Sequence, residues 1–281
     1  MQDNSIHNRL TLNCAGRLVV LENPLIMGIL NTTPDSFHEA SRTNLNNALE
    51  KAAEMVAEGV DILDIGAQST RPGSVGVTAS EEIDRAIPVI DAIHQQYPDL
   101  LLSIDTYYPS VALAAVTAGV SMVNDISAGL FYPEMLETVA SLKVPYICMH
   151  MGGTEKQLHQ RKPTDNITRT VFDFFIERME ACKKVGIHDI IIDPGFGFGN
   201  TLAENFQLMR DLEIFKSLGQ PILLGVSRKS SIYKTLGGTA ETALNGSTVL
   251  HTAGLLKGAQ ILRVHDVREA KEAIILTQLL K

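Results

Sequence analysis

Short apolar runs rich in valine, isoleucine and leucine alternate along this chain with longer stretches whose apolar residues recur at helical spacing. The runs occupy residues 25–30, 61–66, 100–105, 121–126, 144–149, 189–193, 221–226 and 260–264, eight in all. The stretches between them predict helices. Residues 44–58 place Leu45, Leu49, Ala52, Ala53 and Val56 on one face, with Gly59 as a stop. Residues 80–96 open with Ser80, Glu81 and Glu82, a helix cap with acid in the first turn. Residues 164–185 carry Val171, Phe174, Phe175 and Met179 and end before Gly186; 202–218, 239–257 and 267–280 complete the set.

Strands apolar on both faces imply a parallel sheet covered by helices. Eight βα units in that order predict a closed (β/α)8 TIM barrel. The alternative, an open doubly wound sheet, normally has a glycine-rich turn after its first strand. Here the first strand leads into Asn31-Thr32-Thr33-Pro34-Asp35, which is not that fingerprint. Residues 9–23 predict a short N-terminal hairpin that closes the barrel floor. The 281 residues suit one domain, 1–281, since such a barrel takes roughly 250.

Composition narrows the partners. A net charge of -8, from 24 basic and 32 acidic residues, argues against nucleic acid or an anionic membrane as the main partner. It leaves room for a small anionic ligand held by a few converging cations. Cys14, Cys148 and Cys182 are too few and too widely spaced for a disulfide framework or a zinc motif. The polar N-terminus lacks the apolar core of a signal peptide, and no apolar run is long enough to span a membrane. A cytoplasmic protein is the expectation.

Active sites of such barrels lie at the C-terminal strand ends. Asn31 and Asp35 follow the first strand. Asp64 ends the second, and Gln68-Ser69-Thr70-Arg71-Pro72-Gly73 comes after it. Asp105 ends the third, Asn124 and Asp125 the fourth, and Met149 and His150 the fifth. The glycine-rich 193–199 follows the sixth, Ser227-Arg228-Lys229-Ser230 the seventh, and Arg263, His265 and Asp266 end the eighth. Any one of these could merely cap a helix, and Asp125 is the strongest candidate for a structural role. Together, acids and amides cluster after strands three, four and six, and cations after strands two, seven and eight. That arrangement suits a ligand with an NH-rich end and an anionic end. Arg71 and Arg263 suit bidentate contact with phosphate oxygens. Residues 195–200 match neither a Walker A loop nor GxGxxG, and no HExxH or paired-cysteine metal site occurs. Nothing in the sequence marks Lys229 as a desolvated Schiff-base lysine.

The segments MGILNTTPDSF (27–37), STRPG (69–73), SIDT (103–106), NDISAG (124–129), MHMGGT (149–154), DPGFGFGN (193–200), GVSRKS (225–230) and RVHDV (263–267) resemble the dihydropteroate synthase family, in its bacterial single-function form. The resemblance implies a magnesium-dependent enzyme, commonly a homodimer. It displaces diphosphate from a dihydropterin methyl diphosphate with the amine of p-aminobenzoate. It also implies residue roles. Asp105, Asn124, Asp193 and Lys229 would read the pterin edge, with Met149 packed under the ring. Asn31, Thr70, Arg71, Arg263 and His265 would hold the diphosphate, and Asn31 the magnesium. Phe37, Pro72, Phe198 and Ser230 would form the p-aminobenzoate slot, and Asp35, Arg71 and Lys229 would carry the catalysis. Asp35 and Phe37 would belong to a lid, 31–43, that closes over substrate.

The chain departs from the family pattern in three places. Gln68 stands where Glu is usual, His38-Glu39-Ala40 replaces lid glycines, and 152–166 matches loosely. Two rival readings stay open on sequence. One is a pterin-binding methyltransferase barrel, which has no need of Arg71, Lys229, Arg263 and His265 as a diphosphate cage. The other is a non-catalytic pterin binder.

Overall fold

The computed structural model describes residues 10–32, 40–68, 77–153 and 164–280. A hairpin comes first: β1 (Thr11–Cys14) pairs antiparallel with β2 (Arg17–Val20), Cys14 opposite Arg17. Ala15 and Gly16 between them both have positive φ, 52° and 90°, the backbone of a tight hairpin turn whose twist matches the flanking strands.

Eight parallel strands follow: β3 (Leu25–Asn31), β4 (Ile62–Gly66), β5 (Leu101–Asp105), β6 (Met122–Asp125), β7 (Tyr146–Met149), β8 (Ile190–Asp193), β9 (Leu223–Leu224) and β10 (Ile261–Val264). The sheet order is β8-β7-β6-β5-β4-β3-β10-β9. The remaining seam, between β8 and β9, is joined by a parallel bridge between Ile192 and Ile222, with the Ile192 N–H donating to the Pro221 carbonyl at 2.9 Å. The predicted barrel with an N-terminal hairpin is therefore the fold.

Between the strands lie α1 (Ala40–Ala57), α2 (Ala79–Gln96), α3 (Pro109–Thr117), α4 (Glu134–Leu142), α5 (Ile167–Val185), α6 (Leu202–Arg210), α7 (Ser230–Leu236) and α8 (Leu244–Leu256). After β10 comes α9 (Val267–Gln278). Helices α3, α4 and α7 were not anticipated. The α3 sequence PSVALAAVT is apolar nearly all round, so no stripe stands out, and the other two have only 9 and 7 residues. The cap of α2 is Thr78 rather than Ser80: Thr78 and Glu81 form a reciprocal capping box. The single helix expected over 202–218 breaks at Asp211, whose carboxylate accepts from Thr168 Oγ1 at 2.7 Å, and continues as a 3-10 helix, Leu212–Leu218.

Inside the barrel the side chains form two layers. The floor is apolar: Met27, Ile62, Leu101, Met122, Ile147, Ile191, Leu223 and Ile261 pack in one cluster with Leu12 and Cys14 of the hairpin. The hairpin thus plugs the N-terminal end, as expected. Asn13 N–H donates to Asp189 Oδ1 at 3.2 Å and ties it to the start of β8.

Candidate active site

Side chains two residues apart on a strand share a face. Two positions above the floor, Ile62 gives way to Asp64, Met122 to Asn124, Ile147 to Met149, Ile191 to Asp193 and Ile261 to Arg263. On β5 the step is Leu101, Ser103, Asp105. A polar layer therefore rests directly on an apolar plug at the C-terminal mouth.

The centre of that layer is an ion-paired cluster. Arg263 Nε donates to Asp64 Oδ2 and its Nη2 to Asp105 Oδ2, both at 2.7 Å. Asn124 Nδ2 donates to the same Asp64 oxygen at 3.0 Å. Burial opposes the Arg263 charge, yet Asp64 and Asp105 outweigh it and hold the guanidinium above its usual range. Burial pushes Asp105 up to about 7; Arg263 pulls the other way, and the carboxylates of Asp64, Glu82 and Asp125 add to the rise.

Asp193 and Lys229 face the same space. A Cβ at Gly225 would lie 3.8 Å from both Asp193 Oδ2 and Lys229 Nζ, so the two charged groups stand over the same point of the backbone after β9. Lys229 donates to the Phe196 carbonyl and lies 4.3 Å from the centre of the Phe198 ring. Burial lowers Lys229 to about 8, partly offset by Asp193 and reinforced by Arg263. Burial likewise raises Asp193 against the pull of Lys229 and of the Gly195 N–H, which donates to Asp193 Oδ1 at 2.8 Å.

The glycine-rich loop after β8 needs its glycines for contact. Gly195 and Gly197 have φ of 73° and 83°, and their Cβ atoms would lie 1.7 Å from the His150 carbonyl oxygen and 2.8 Å from Lys229 Cδ. The loop therefore presses its backbone against two elements of the site. Phe198 then joins Met149, Tyr107 and Ile126 in an apolar shelf beside the mouth.

Seven of the fifteen anticipated residues converge here, out of ten that lie within the described residues: Asp105, Asn124, Met149, Asp193, Phe198, Lys229 and Arg263. Asn31 ends β3 with its side chain exposed, and Ser230 is the exposed first residue of α7. His265 follows β10; burial first, then Arg263 and Lys51, lower its imidazole to about 4. Asp35, Phe37, Thr70, Arg71 and Pro72, and most of the expected lid, lie outside the described residues. Asp125 is structural, as anticipated. It accepts from Ser127 N, Ser127 Oγ, Gly129 N and Tyr146 OH at 2.7 to 2.9 Å, and so is turned to the outer side of the barrel wall.

Asp64, which the sequence marks only as a strand end, holds both Asn124 and Arg263. Tyr107 and Ile126 join the site without a motif that singles them out. Gln68 forms a bridge of its own: its Nε2 donates to Glu82 Oε2 at 3.0 Å, and its Oε1 accepts from Tyr107 OH at 2.6 Å. The signal for Asp64 was present, since it stands two residues after Ile62 as Asn124 stands after Met122.

Residues 27–265 match the pterin binding enzyme family. The dihydropteroate synthase of Streptococcus pyogenes serotype M18 is 41% identical over 271 residues, 94% of this chain and 99% of that protein. The chain belongs to the dihydropteroate synthase family. A second member, from Escherichia coli K12, is 38% identical over 262 residues, 92% of each chain. Among solved structures, the Xanthomonas albilineans dihydropteroate synthase with 4-aminobenzoic acid superposes with a TM-score of 0.89 at 41% identity, covering 97% of this chain and 98% of that one. The same enzyme in complex with 7,8-dihydropteroate gives 0.84 at 38% identity, covering 96% and 98%. Like other dihydropteroate synthases, this chain is a transferase of folate biosynthesis.

Proposed function

We infer that this chain joins 7,8-dihydropterin-6-ylmethyl diphosphate to p-aminobenzoate at the barrel mouth, releasing diphosphate. The observation that carries the reading is the set Asp105, Asn124, Asp193 and Lys229 around one opening, with Asp193 and Lys229 flanking Gly225. An amino-pyrimidine edge offers adjacent N–H donors that a carboxylate accepts in pairs, and Asp193 is the residue proposed to take them. Asp105 and Asn124 would read the rest of the edge, and Lys229 would donate to the ring oxygen and nitrogen on the other side. A ring lacking those groups would leave buried charges unpaired, which is the source of selectivity. Met149 and Phe198 would offer the apolar contacts, Met149 under the pterin and Phe198 with Phe37, Pro72 and Ser230 around p-aminobenzoate.

In the reaction the C–O bond between the pterin methylene and diphosphate breaks, and diphosphate leaves with the electron pair. The p-aminobenzoate nitrogen forms the new C–N bond and loses a proton. The residues proposed to hold the departing anion are Asn31, Thr70, Arg71, Arg263 and His265, while Asp35 and Arg71 join Lys229 in carrying catalysis. Arg263 engages Asp64 and Asp105, so pterin arrival at Asp105 would release its Nη2 toward the diphosphate. Stabilising the leaving group and aligning the amine would supply most of the rate.

Magnesium fits this site as a companion of the diphosphate. Asn31 is an exposed residue at the end of β3 that carries one amide oxygen, and among the described residues no three His, Cys, Asp or Glu side chains cluster as a metal cage. Mg2+ commonly takes one or two protein oxygens and completes its octahedron with phosphate and water. When bound, it would neutralise charge on the leaving diphosphate. A homodimer and a cytoplasmic setting complete the proposal. Three free, buried cysteines suit a reducing compartment. No described helix is long and apolar enough to cross a membrane.

The test is to incubate the protein with dihydropterin methyl diphosphate, p-aminobenzoate and magnesium, and to follow dihydropteroate by chromatography with and without a chelator. Magnesium-dependent product is expected. A folded protein that binds pterin yet makes no product overturns the reading and returns the methyltransferase and non-catalytic alternatives.

A further inference from the structure

Two charged side chains at the mouth take no part in that chemistry. Arg228 immediately precedes Lys229, and Asp266 immediately follows His265. They meet as a fork: Arg228 Nε donates to Asp266 Oδ2 at 2.8 Å and Nη2 to Oδ1 at 2.7 Å. Arg228 Nη1 donates to the carbonyls of Ala240 and Glu241, at 3.0 and 3.1 Å, in the segment that leads into α8. Four of the five guanidinium N–H donors thus point at the protein itself, so Arg228 is not a free cation waiting for an anionic ligand.

The backbone adds two cross-links between the same segments. Arg228 N–H donates to Ser247 Oγ of α8 at 2.8 Å, and His265 N–H donates to Ser227 Oγ at 3.1 Å. Arg228 also has φ of 53°, a left-handed backbone that a residue with a side chain seldom adopts. Such a conformation persists when its surroundings over-determine it. Its effect is directional: the Arg228 side chain points to Asp266, and the next side chain, Lys229, turns to Phe196 and Phe198.

We propose that Arg228 and Asp266 are a positioning pair, whose fork locks the segment after β9 to the end of β10 and so fixes where Lys229 and His265 present their side chains. Lysine could not replace the arginine fully, because a single ammonium lacks the planar two-point geometry of the fork. The catalytic part of the proposal rests on the dihydropteroate synthase reading; the placement of Lys229 does not.

The variants are Arg228→Gln, Arg228→Lys and Asp266→Asn. Each is compared with wild type by thermal melting, 6-hydroxymethylpterin affinity, kcat and KM, and pulse acetylation of Lys229 at pH 8 read by mass spectrometry. Arg228→Gln and Asp266→Asn should weaken pterin binding roughly tenfold and lower kcat/KM on the order of a hundredfold, as small misplacements of reacting groups do. Lys229 acetylation should change severalfold relative to the other lysines, and Arg228→Lys should restore part of each loss. The double variant Arg228→Gln/Asp266→Asn should be no worse than the poorer single variant.

If either single variant melts like wild type and keeps its pterin affinity and Lys229 acetylation, the positioning role is wrong. If both single variants fail to fold, the pair is a folding determinant and the proposal also falls. Changed Lys229 acetylation and pterin affinity, in a protein whose wild type makes no dihydropteroate, would uphold the pair while overturning the reaction.

Discussion

Asp64 Oδ2 accepts Arg263 Nε at 2.7 Å and Asn124 Nδ2 at 3.0 Å, so one buried oxygen on β4 orients side chains from β10 and β6. Asp64 is fully buried, while the Arg263 side chain is 19% exposed at the mouth. The pair is thus screened little, and removing Asp64 leaves Arg263 with Asp105 alone as its counter-charge. A buried charge left wholly unpaired costs about 3 to 5 kcal/mol, and the remaining Asp105 contact sets the loss here below that. Asp64→Ala should lower the melting temperature and cut kcat/KM by at least about a hundredfold, because Asn124 and Arg263 both lose the oxygen that orients them. Calorimetry together with steady-state kinetics checks this. An Asp64→Ala protein with wild-type kinetics would show that the polar layer orders itself without Asp64.

The pH dependence follows from Asp105 and Lys229. Asp105 is raised to about 7 and Lys229 lowered to about 8, each first by burial. Pterin recognition needs an Asp105 carboxylate to accept and a Lys229 ammonium to donate. Affinity should therefore fall below about 7 as Asp105 takes up a proton, and above about 8 as Lys229 loses one. The two limbs belong to the coupled site as macroscopic values. Stability runs differently. A raised Asp105 favours its protonated form in the folded state, so its unfavourable contribution grows from the ordinary carboxylate range up to about pH 7 and stays above it. A lowered Lys229 opposes folding fully below about pH 8, and that opposition fades toward the ordinary lysine range. Pterin titrations between pH 5 and 10 would reveal a bell, and Lys229→Met should remove its alkaline limb. A flat affinity across this range would mean that neither group changes charge on the pterin edge.

The barrel could be read from sequence because its evidence is local. Each strand is a short apolar run, and the step from Ile62 to Asp64 or from Ile191 to Asp193 marks where floor becomes mouth within three residues. Helix α3 could not be read the same way, since a segment apolar nearly all round has no preferred face. The partner of Arg263 was hidden for a different reason. A cation at a strand end serves a ligand anion and a protein carboxylate equally well on sequence. Only closure of the barrel brings Asp64 and Asp105, 199 and 158 residues away, against its guanidinium. Arg228 illustrates the same limit, because nothing in the order Ser227-Arg228-Lys229 says which cation faces the site and which faces Asp266.

Gly195 and Gly237 separate backbone strain from collision. Both have left-handed φ, 73° and 68°. A Cβ at Gly237 would meet nothing within 4 Å, whereas one at Gly195 would lie 1.7 Å from the His150 carbonyl oxygen. Gly237→Ala should cost only the left-handed penalty, about 1 to 2 kcal/mol. Gly195→Ala must also displace the loop from the His150 backbone just after β7, so its cost should exceed that by about 1 to 3 kcal/mol, the range of overpacked sites. Urea unfolding of the two variants measures the difference. Equal losses would mean that the loop after β8 yields freely, contrary to its close fit on His150.

Gln68 offers a charge test. Its amide donates to Glu82 and accepts from Tyr107, an orientation that satisfies both neighbours without a proton to share. Glu82 is fully buried, and burial raises its carboxyl against the hydrogen bonds of Thr106 and Gln68. Gln68→Glu keeps the Tyr107 bond but sets a second carboxyl against Glu82. Two carboxyls in such contact hold one proton between them, with one pKa strongly raised. The variant should therefore match wild type at acidic pH and lose stability as the shared proton leaves with rising pH, by about 1 to 3 kcal/mol. Activity should fall in parallel, because Glu82 already adds to the negative field at Asp105. Melting curves at pH 5.5 and 8.5 decide it: a wild-type difference between the two would show that water relieves the pair and that the amide at 68 is not needed to keep Glu82 company.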